Sequence, residues 1–444
     1  MNTGIIGGGM MGMALAHRLT RAGDRVEVFE REDQLGGLAT WHDFGGFFWD
    51  RFYHVILPSD RHLIKFIDDI GLGEELRWRQ TRTGFYVDGR MHSVSNTLEF
   101  LRFPLLNPID KLRLAFTMLY SSRIDHWERL ESVSVEDWLI KVSGRRTYER
   151  MWRPLLLAKL GENYRRTSAV FIWSYIKRLF SARDSSASKE QLGHVTGGYR
   201  QIFETVRGQV ESAGGQVHTG IGVESVRAAQ GRGIEIQLAG KPEVRRFDRV
   251  VCTSPVPVLK AIADDALLDV RKPDADDREV EYLGVVCPVL ITTRPVVPYY
   301  VVNIADPEIP FSGIIGMSNV VEPVDTGDRY LTYLPKYVLS TDEWLRKPDA
   351  EIEERTLEGV RRMLPEFDEA SLEKVVVNRA VRVQPLQVQE FSKIVPTVET
   401  KHPDFFVLNT AQFVNATLNN NEVIRSVDEF VSRLAGTDSR REET

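Results

Sequence analysis

The chain has 444 residues, 42% of them apolar and 27% charged, with a formal net charge of −6. That composition suits a folded protein with more than one core; it argues against disorder and, with the charge spread along the chain, against a nucleic-acid partner. The two cysteines, Cys252 and Cys287, have no CxxC or metal-ligand spacing, which excludes a disulfide framework, offers no metal site and fits a reducing, cytoplasmic setting.

The opening residues run straight into a strand with no basic, apolar leader, so no signal peptide is expected. No run of about 18 apolar residues predicts a transmembrane helix. Thr3–Gly7 (TGIIG) suits a buried parallel strand. Gly7-Gly8-Gly9-Met10-Met11-Gly12 then reads GxGxxG. Gly7 permits a tight turn, Gly9 lets the backbone approach a pyrophosphate, and Gly12 allows a helix to pack closely on the strand. The helix predicted from near Met10 carries Met13, Ala16, Leu19 and Ala22 at helical spacing and stops at Gly23. Its first N–H groups point at phosphate. RVEVF follows as a second strand, and Glu30 stands at its end. A carboxylate there accepts from ribose hydroxyls and repels a 2′-phosphate, which argues against NADP. Gly36-Gly37 add a further backbone turn.

Phe44–Asp60 crowds aromatic residues around one Asp and one His; Phe47, Trp49, Phe52 and His54 each read either as core or as site residues. RHLIKFIDDIGLG predicts an amphipathic helix closed by Gly71, and Gly84–Val94 a hairpin turning at Asp88-Gly89. From Leu98 to about Phe180 the pattern is helical. Within it, Phe103–Arg123 mixes long apolar residues with Lys111, Arg113 and Arg123, and reads as a buried helix, a channel lining or a peripheral membrane contact. Ser134 caps the next helix, and Met151–Ala169 carries a proline break and the basic pair Arg165-Arg166. Ser181–Gln191 reads as a polar linker. A glycine turn, a helix from Tyr199 to Ala213 and a strand meander through Arg246–Leu259 come next. Leu259 to Pro396 reads as mixed sheet with one long helix, and the chain closes with a strand, a turn and a helix opened by Asn419-Asn420-Asn421.

The whole stretch from Gly7 to Gly37 resembles the extended flavoprotein fingerprint, with Ala16, Leu19, Gly23, Val26, Val28 and Glu30 all in place. It implies FAD, with the adenosine half on Glu30. The later order of elements resembles the FAD-dependent amine oxidase and protoporphyrinogen oxidase superfamily, whose architecture UDP-galactopyranose mutases and carotenoid desaturases share. The resemblance implies an α/β (α+β) fold in three parts. Residues 1–66, 190–260 and 397–438 would form a Rossmann-like FAD-binding domain; 67–97 and 261–396 a β-sheet substrate domain; 98–189 a helical insert; and 439–444 a flexible tail.

It also implies cofactor contacts at Gly7, Gly9, Met10, Met11, Gly12, Glu30, Arg31, Gly36, Gly37, Leu38, Ala39, Tyr53, His54, Thr253 and, through its backbone, Val223 at the adenine. The C-terminal return adds Asn409, Thr410, Asn419 and Asn420, where the family usually carries a Gly-Asp pair. The chain after Gly36-Gly37 is expected to pass the flavin ring, which makes His54 the catalytic candidate, tuning the flavin or shuttling a proton near neutral pH. The implied activity is hydride removal from an organic substrate, in glycan or secondary-metabolite biosynthesis. The substrate would be a small molecule, apolar or a nucleotide- or lipid-linked sugar. One alternative is a non-redox mutase acting on a nucleotide sugar, with Arg165, Arg166, Arg379 and Arg382 available for a diphosphate. The other is a flavin-binding protein without turnover.

Overall fold

The computed structural model describes residues 1–181, 191–268 and 278–442. The polar linker expected at Ser181–Gln191 lies almost wholly outside them. A five-stranded parallel sheet forms the base, in the order Phe405–Val407, Arg249–Cys252, Asn2–Ile6, Arg25–Phe29, Gln216–His218. All three segments expected to build the FAD domain thus supply strands to one sheet. The helices Met10–Arg21, Gly198–Ser212 and Asn420–Glu442 bury their apolar faces in one core with it, through residues such as Leu15, Phe203 and Ile424. An antiparallel meander of Val223–Ala228, Ile234–Leu238 and Val244–Phe247 covers the opposite face. The chain after Arg249–Cys252 turns into a helix, Val256–Ile262, where the sequence reading continued the strands.

A second, eight-stranded sheet is centred on Tyr282–Thr292, all of whose residues are buried. Continuous burial on both faces explains why this strand reads as an unbroken apolar run rather than an alternating one. Leu372–Pro385 pairs along nearly its whole length, and the Thr83–Val87/Arg90–Ser93 hairpin joins the far edge. The hairpin turns at Asp88 (φ 51°) and Gly89 (φ 70°), the left-handed pair a two-residue turn demands. A short pairing of Leu76–Gln80 with Gln191–Val195 ties the two sheets' territories together.

The helices of the insert pack against the second sheet. Asn107 and Ser134 cap Pro108–Ser122 and Val135–Ser143 by accepting from the N–H groups of Asp110 and Asp137. Pro154 breaks nothing: it sits in the first turn of Arg153–Leu160, which a π turn at Tyr148–Trp152 leads into. Pro108–Ser122 is buried on one face only, by Leu114, Thr117 and Ser121. The closing helix runs to Glu442, through 439–442 where a tail was expected.

Candidate cofactor and active site

The glycine turn sits at the carboxyl ends of the parallel strands, where open α/β sheets bind ligands. Each of its glycines has a separate reason. Gly7 has φ 111°, and a Cβ there would stand 2.5 Å from the Thr253 hydroxyl, which donates to the Ile6 carbonyl at 3.0 Å. A Cβ on Gly12 would lie 1.9 Å from the Gly7 carbonyl oxygen, so the helix packs on the strand only with glycine there. Gly9 differs. Its φ is −75°, and a Cβ would meet nothing nearer than 3.9 Å. The fold does not require glycine at that position, and the space beside it is open.

That space lies over a helix N-terminus that no side chain caps and no acidic residue occupies. Met10 and Met11, in its first turn, bury their side chains inward and leave the backbone toward the turn. The second glycine pair closes the other side. Gly36 donates to the Gly8 carbonyl at 3.0 Å, and Gly37 packs on Gly9, where an added Cβ would stand 3.4 Å from the Gly9 Cα. Leu38 and Ala39 complete the short turn Gly37–Ala39, Ala39 buried and Leu38 half-buried. Glu30 accepts from the Gly8 N–H at 2.7 Å and from the Glu32 N–H at 2.9 Å, so its carboxylate holds the turn while its remaining lone pairs stay open. The Glu30 carbonyl accepts from Ile221, which leads Val223 to the same edge, and Arg31 flanks it, exposed and paired with Glu32 at 2.8 Å.

Asn409 joins this group through Ser254, to whose carbonyl it donates at 3.1 Å. Its Oδ1 and N–H are taken by a capping box around Thr410–Gln412. The asparagine therefore locks the strand return in place.

A second group lies beyond the Gly36-Gly37 turn. The Trp41–Asp43/Phe48–Asp50 hairpin bends at Gly45-Gly46 and returns so that the Arg51 N–H meets the Thr40 carbonyl at 2.9 Å. Of its aromatics Trp49 is core, while Phe47 and Phe52 pack half-buried against the large sheet. The chain from Asp50 to Val55 thus starts beside the phosphate turn and runs toward the large sheet. Asp50 is buried, accepts from the Tyr199 N–H at 2.9 Å, and lies 3.9 Å from the His54 ring. Burial pushes its carboxyl up to about 8. His54 donates from Nδ1 to the Phe52 carbonyl at 2.9 Å, and desolvation lowers it to about 4. A neutral imidazole with Nε2 as its acceptor follows.

Tyr53 bonds through its hydroxyl to Tyr337, and the Lys159 Nζ lies 3.2 Å over the Tyr337 ring. Desolvation brings that ammonium down to about 7. The Tyr333 hydroxyl donates to the Asp50 carbonyl at 2.6 Å and its ring faces Tyr53. Tyr199 lies 5.0 Å from His54 and reaches Asn420, at the start of the last helix, with its hydroxyl. Asn419 caps that helix by accepting from the Glu422 N–H at 3.0 Å. Lys159, Tyr337, Tyr53, Asp50, His54 and Asn420 thus form one continuous group running from the insert to the nucleotide-binding sheet. Asp50 and Lys159 carry no motif; the one available signal was a carboxylate in the run FFWDRFY.

The four arginines are differently placed. Arg165 pairs with Glu162 at 2.9 Å, Arg166 with Glu281 at 2.7 Å and Arg379 with Asp349 at 2.5 Å, while Arg382 is exposed. Both cysteines are free and buried, and no metal-holding cluster exists among the described residues. No helix among the described residues is long and apolar enough to cross a membrane.

Residues 10–400 match the family described as flavin containing amine oxidoreductase. The chain belongs to that family. Its cofactor is FAD. Among relatives, this amine oxidoreductase is 32% identical over 114 residues to the flavin-dependent L-tryptophan oxidase RebO of Lentzea aerocolonigenes, covering 25% of this chain and 24% of that protein. It is 21% identical over 283 residues to a 15-cis-phytoene desaturase of Glycine max, covering 60% and 49%. The matches thus span a quarter to a half of these relatives' own length. Two solved structures share the fold over nearly the whole chain, each at 16% identity. Putrescine oxidase bound to putrescine has a TM-score of 0.72 (98% and 99% covered), and reduced UDP-galactopyranose mutase 0.71 (97% and 95%). An oxidase and a mutase are equally near in fold, so only the site's own chemistry can separate the two readings.

Proposed function

We propose that this flavoenzyme oxidises a small, predominantly apolar organic molecule by removing a hydride from one of its C–H bonds. The observation that carries the proposal is Lys159. Its amine is desolvated over the Tyr337 ring and drawn down to about 7. A pocket that strips water from an ammonium is a poor host for a nucleotide diphosphate, and three of the four arginines considered for one are already paired with carboxylates.

In this reading the Gly7–Gly12 turn, with the first N–H groups of Met10–Arg21 and the Gly36-Gly37 turn, holds the diphosphate. Glu30 takes the ribose, the Val223 backbone meets the adenine, and the Asn419-Asn420 helix start approaches the ring. Bound FAD supplies a two-electron acceptor. Loss of hydride from a carbon bearing O–H or N–H also releases a proton, and Lys159 Nζ, neutral above about pH 7, takes it. Tyr53 and Tyr337 fix the amine's position through their shared hydrogen bond. His54 and protonated Asp50 form the neutral wall opposite.

The test is anaerobic mixing with candidate substrates drawn from glycan and secondary-metabolite intermediates. Bleaching of the flavin absorbance at stoichiometric substrate supports oxidation. Turnover that appears only after prior dithionite reduction, without net redox change, would establish the mutase reading instead. No response to any candidate would favour a flavin-binding protein without turnover.

A further inference from the structure

We propose that the outer face of the helical insert docks on an anionic membrane surface. Thirteen large hydrophobic side chains are exposed among the described residues, and seven of them lie between Leu98 and Tyr120. On Pro108–Ser122 they follow helical spacing: Ile109, Leu112, Phe116 and Leu119 form one stripe, 42–72% exposed, and Tyr120 stacks on Phe116. Leu98 and Leu101, on Thr97–Arg102, extend the patch, and Lys111 ties the two helices together by donating to the Leu101 carbonyl at 2.6 Å. The core does not use this face. The helix is anchored from behind by Leu114, Thr117 and Ser121, whose carbonyl accepts from the Trp173 indole at 3.0 Å.

Charge selects the occupant. The chain is −6 overall, yet between Leu98 and Arg123 the charges left outward are positive. Arg102, Arg113 and Arg123 are exposed and make no salt bridge among the described residues, and Arg123 continues the register of the stripe. The two acids of the segment turn inward: Glu99 accepts from the Ser95 N–H at 2.8 Å, and buried Asp110 pairs with Arg146 at 3.3 Å. A second copy of the chain would set these arginines against one another. Anionic headgroups would neutralise them while the stripe enters the interface, lying in its plane without spanning it. The docking face and the buried site back onto the same helix, Ala169–Ser181, through Trp173 on one side and, on the other, Tyr175, whose hydroxyl lies close enough to Tyr337 to influence it. The proposal does not depend on which molecule is oxidised.

FAD-loaded protein is sedimented with vesicles of phosphatidylcholine alone and of an equimolar mixture with phosphatidylglycerol. It should bind the mixed vesicles, weakly or not at all the neutral ones, and less as salt rises. The triple variant Arg102→Gln/Arg113→Gln/Arg123→Gln should lose about fivefold in partitioning per arginine, roughly a hundredfold together. Leu112→Gln/Phe116→Gln should lose binding at every salt concentration, and both variants should keep the wild-type flavin spectrum. The idea is overturned if the wild type ignores the mixed vesicles, or if it binds them and Leu112→Gln/Phe116→Gln binds as well. A concentration-dependent dimer in ultracentrifugation, abolished by the same double variant, would hand the face to a second copy.

Discussion

Replacing Asp50 by asparagine should make the protein more stable, and more so as the pH rises. The carboxyl is buried among Tyr199, Gly198 and the Trp49 ring, accepting one backbone N–H and meeting no cation. Folding therefore moves it from its ordinary 3.8 to about 8. Between those values the folded chain holds one proton more than the unfolded chain. The contribution of this group to stability is greatest below pH 4 and falls by about 1.4 kcal/mol per pH unit until the folded carboxyl ionises, roughly 6 kcal/mol across the window. Asparagine keeps an oxygen for the Tyr199 N–H and removes the titration. With FAD saturating, the urea midpoints of the two proteins should coincide near pH 4 and diverge steadily to about pH 8, the variant being the more stable. The amide's own burial will trim the gain. An offset that stays constant from pH 4 to 9 would refute the reasoning, because it would mean that Asp50 does not carry a proton into the folded state.

Gly9→Ala should fold normally and lose FAD, since its added methyl meets no protein atom within 3.9 Å; circular dichroism and the flavin-to-protein absorbance ratio check the two halves. Glu30→Ala should weaken FAD by ten- to a hundredfold, about 1.5–3 kcal/mol for a charge-assisted hydrogen bond, read by flavin titration of the apoprotein. Lys159→Met should remove a rising limb of kcat against pH centred near 7, because the amine must lose its proton to act as a base. His54→Gln should leave the pH profile between 6 and 9 unshifted, since desolvation already keeps the imidazole neutral down to about 4; a displaced limb would assign the proton-shuttle role to His54.

The glycine turn at the head of the parallel sheet was legible in the sequence because its causes are local. A tight turn, a close helix–strand contact and a backbone pyrophosphate cradle each require glycine at a fixed offset, and all fall within the first 37 residues. The structure separates these requirements further than the pattern could. Gly12 is there for the Gly7 carbonyl, whereas Gly9 is there for no protein atom. That three separate segments supply strands to the parallel sheet was implied by the family resemblance, not by any spacing in the sequence.

The ring end was not readable, for the opposite reason. Lys159 is one lysine among many until the fold sets Tyr337 beneath it, 178 residues further on, and Tyr337 is unremarked until its hydroxyl meets Tyr53. What shifts these groups is desolvation by distant elements, and no spacing rule encodes that. The arginines show the converse error. Arg165 reads as an available cation, yet Glu162 stands three residues before it, a helical neighbour that the sequence already displayed. Availability is thus a property of the pair rather than of the arginine. The same reasoning distinguishes the insert's outer face, where Arg102, Arg113 and Arg123 have no acid within helical reach that is not already turned inward. The exposed arginines of the insert's outer face lie away from the buried pocket, which is why an anion is expected at that surface, whereas the one amine inside the pocket is stripped of water and suits an apolar molecule.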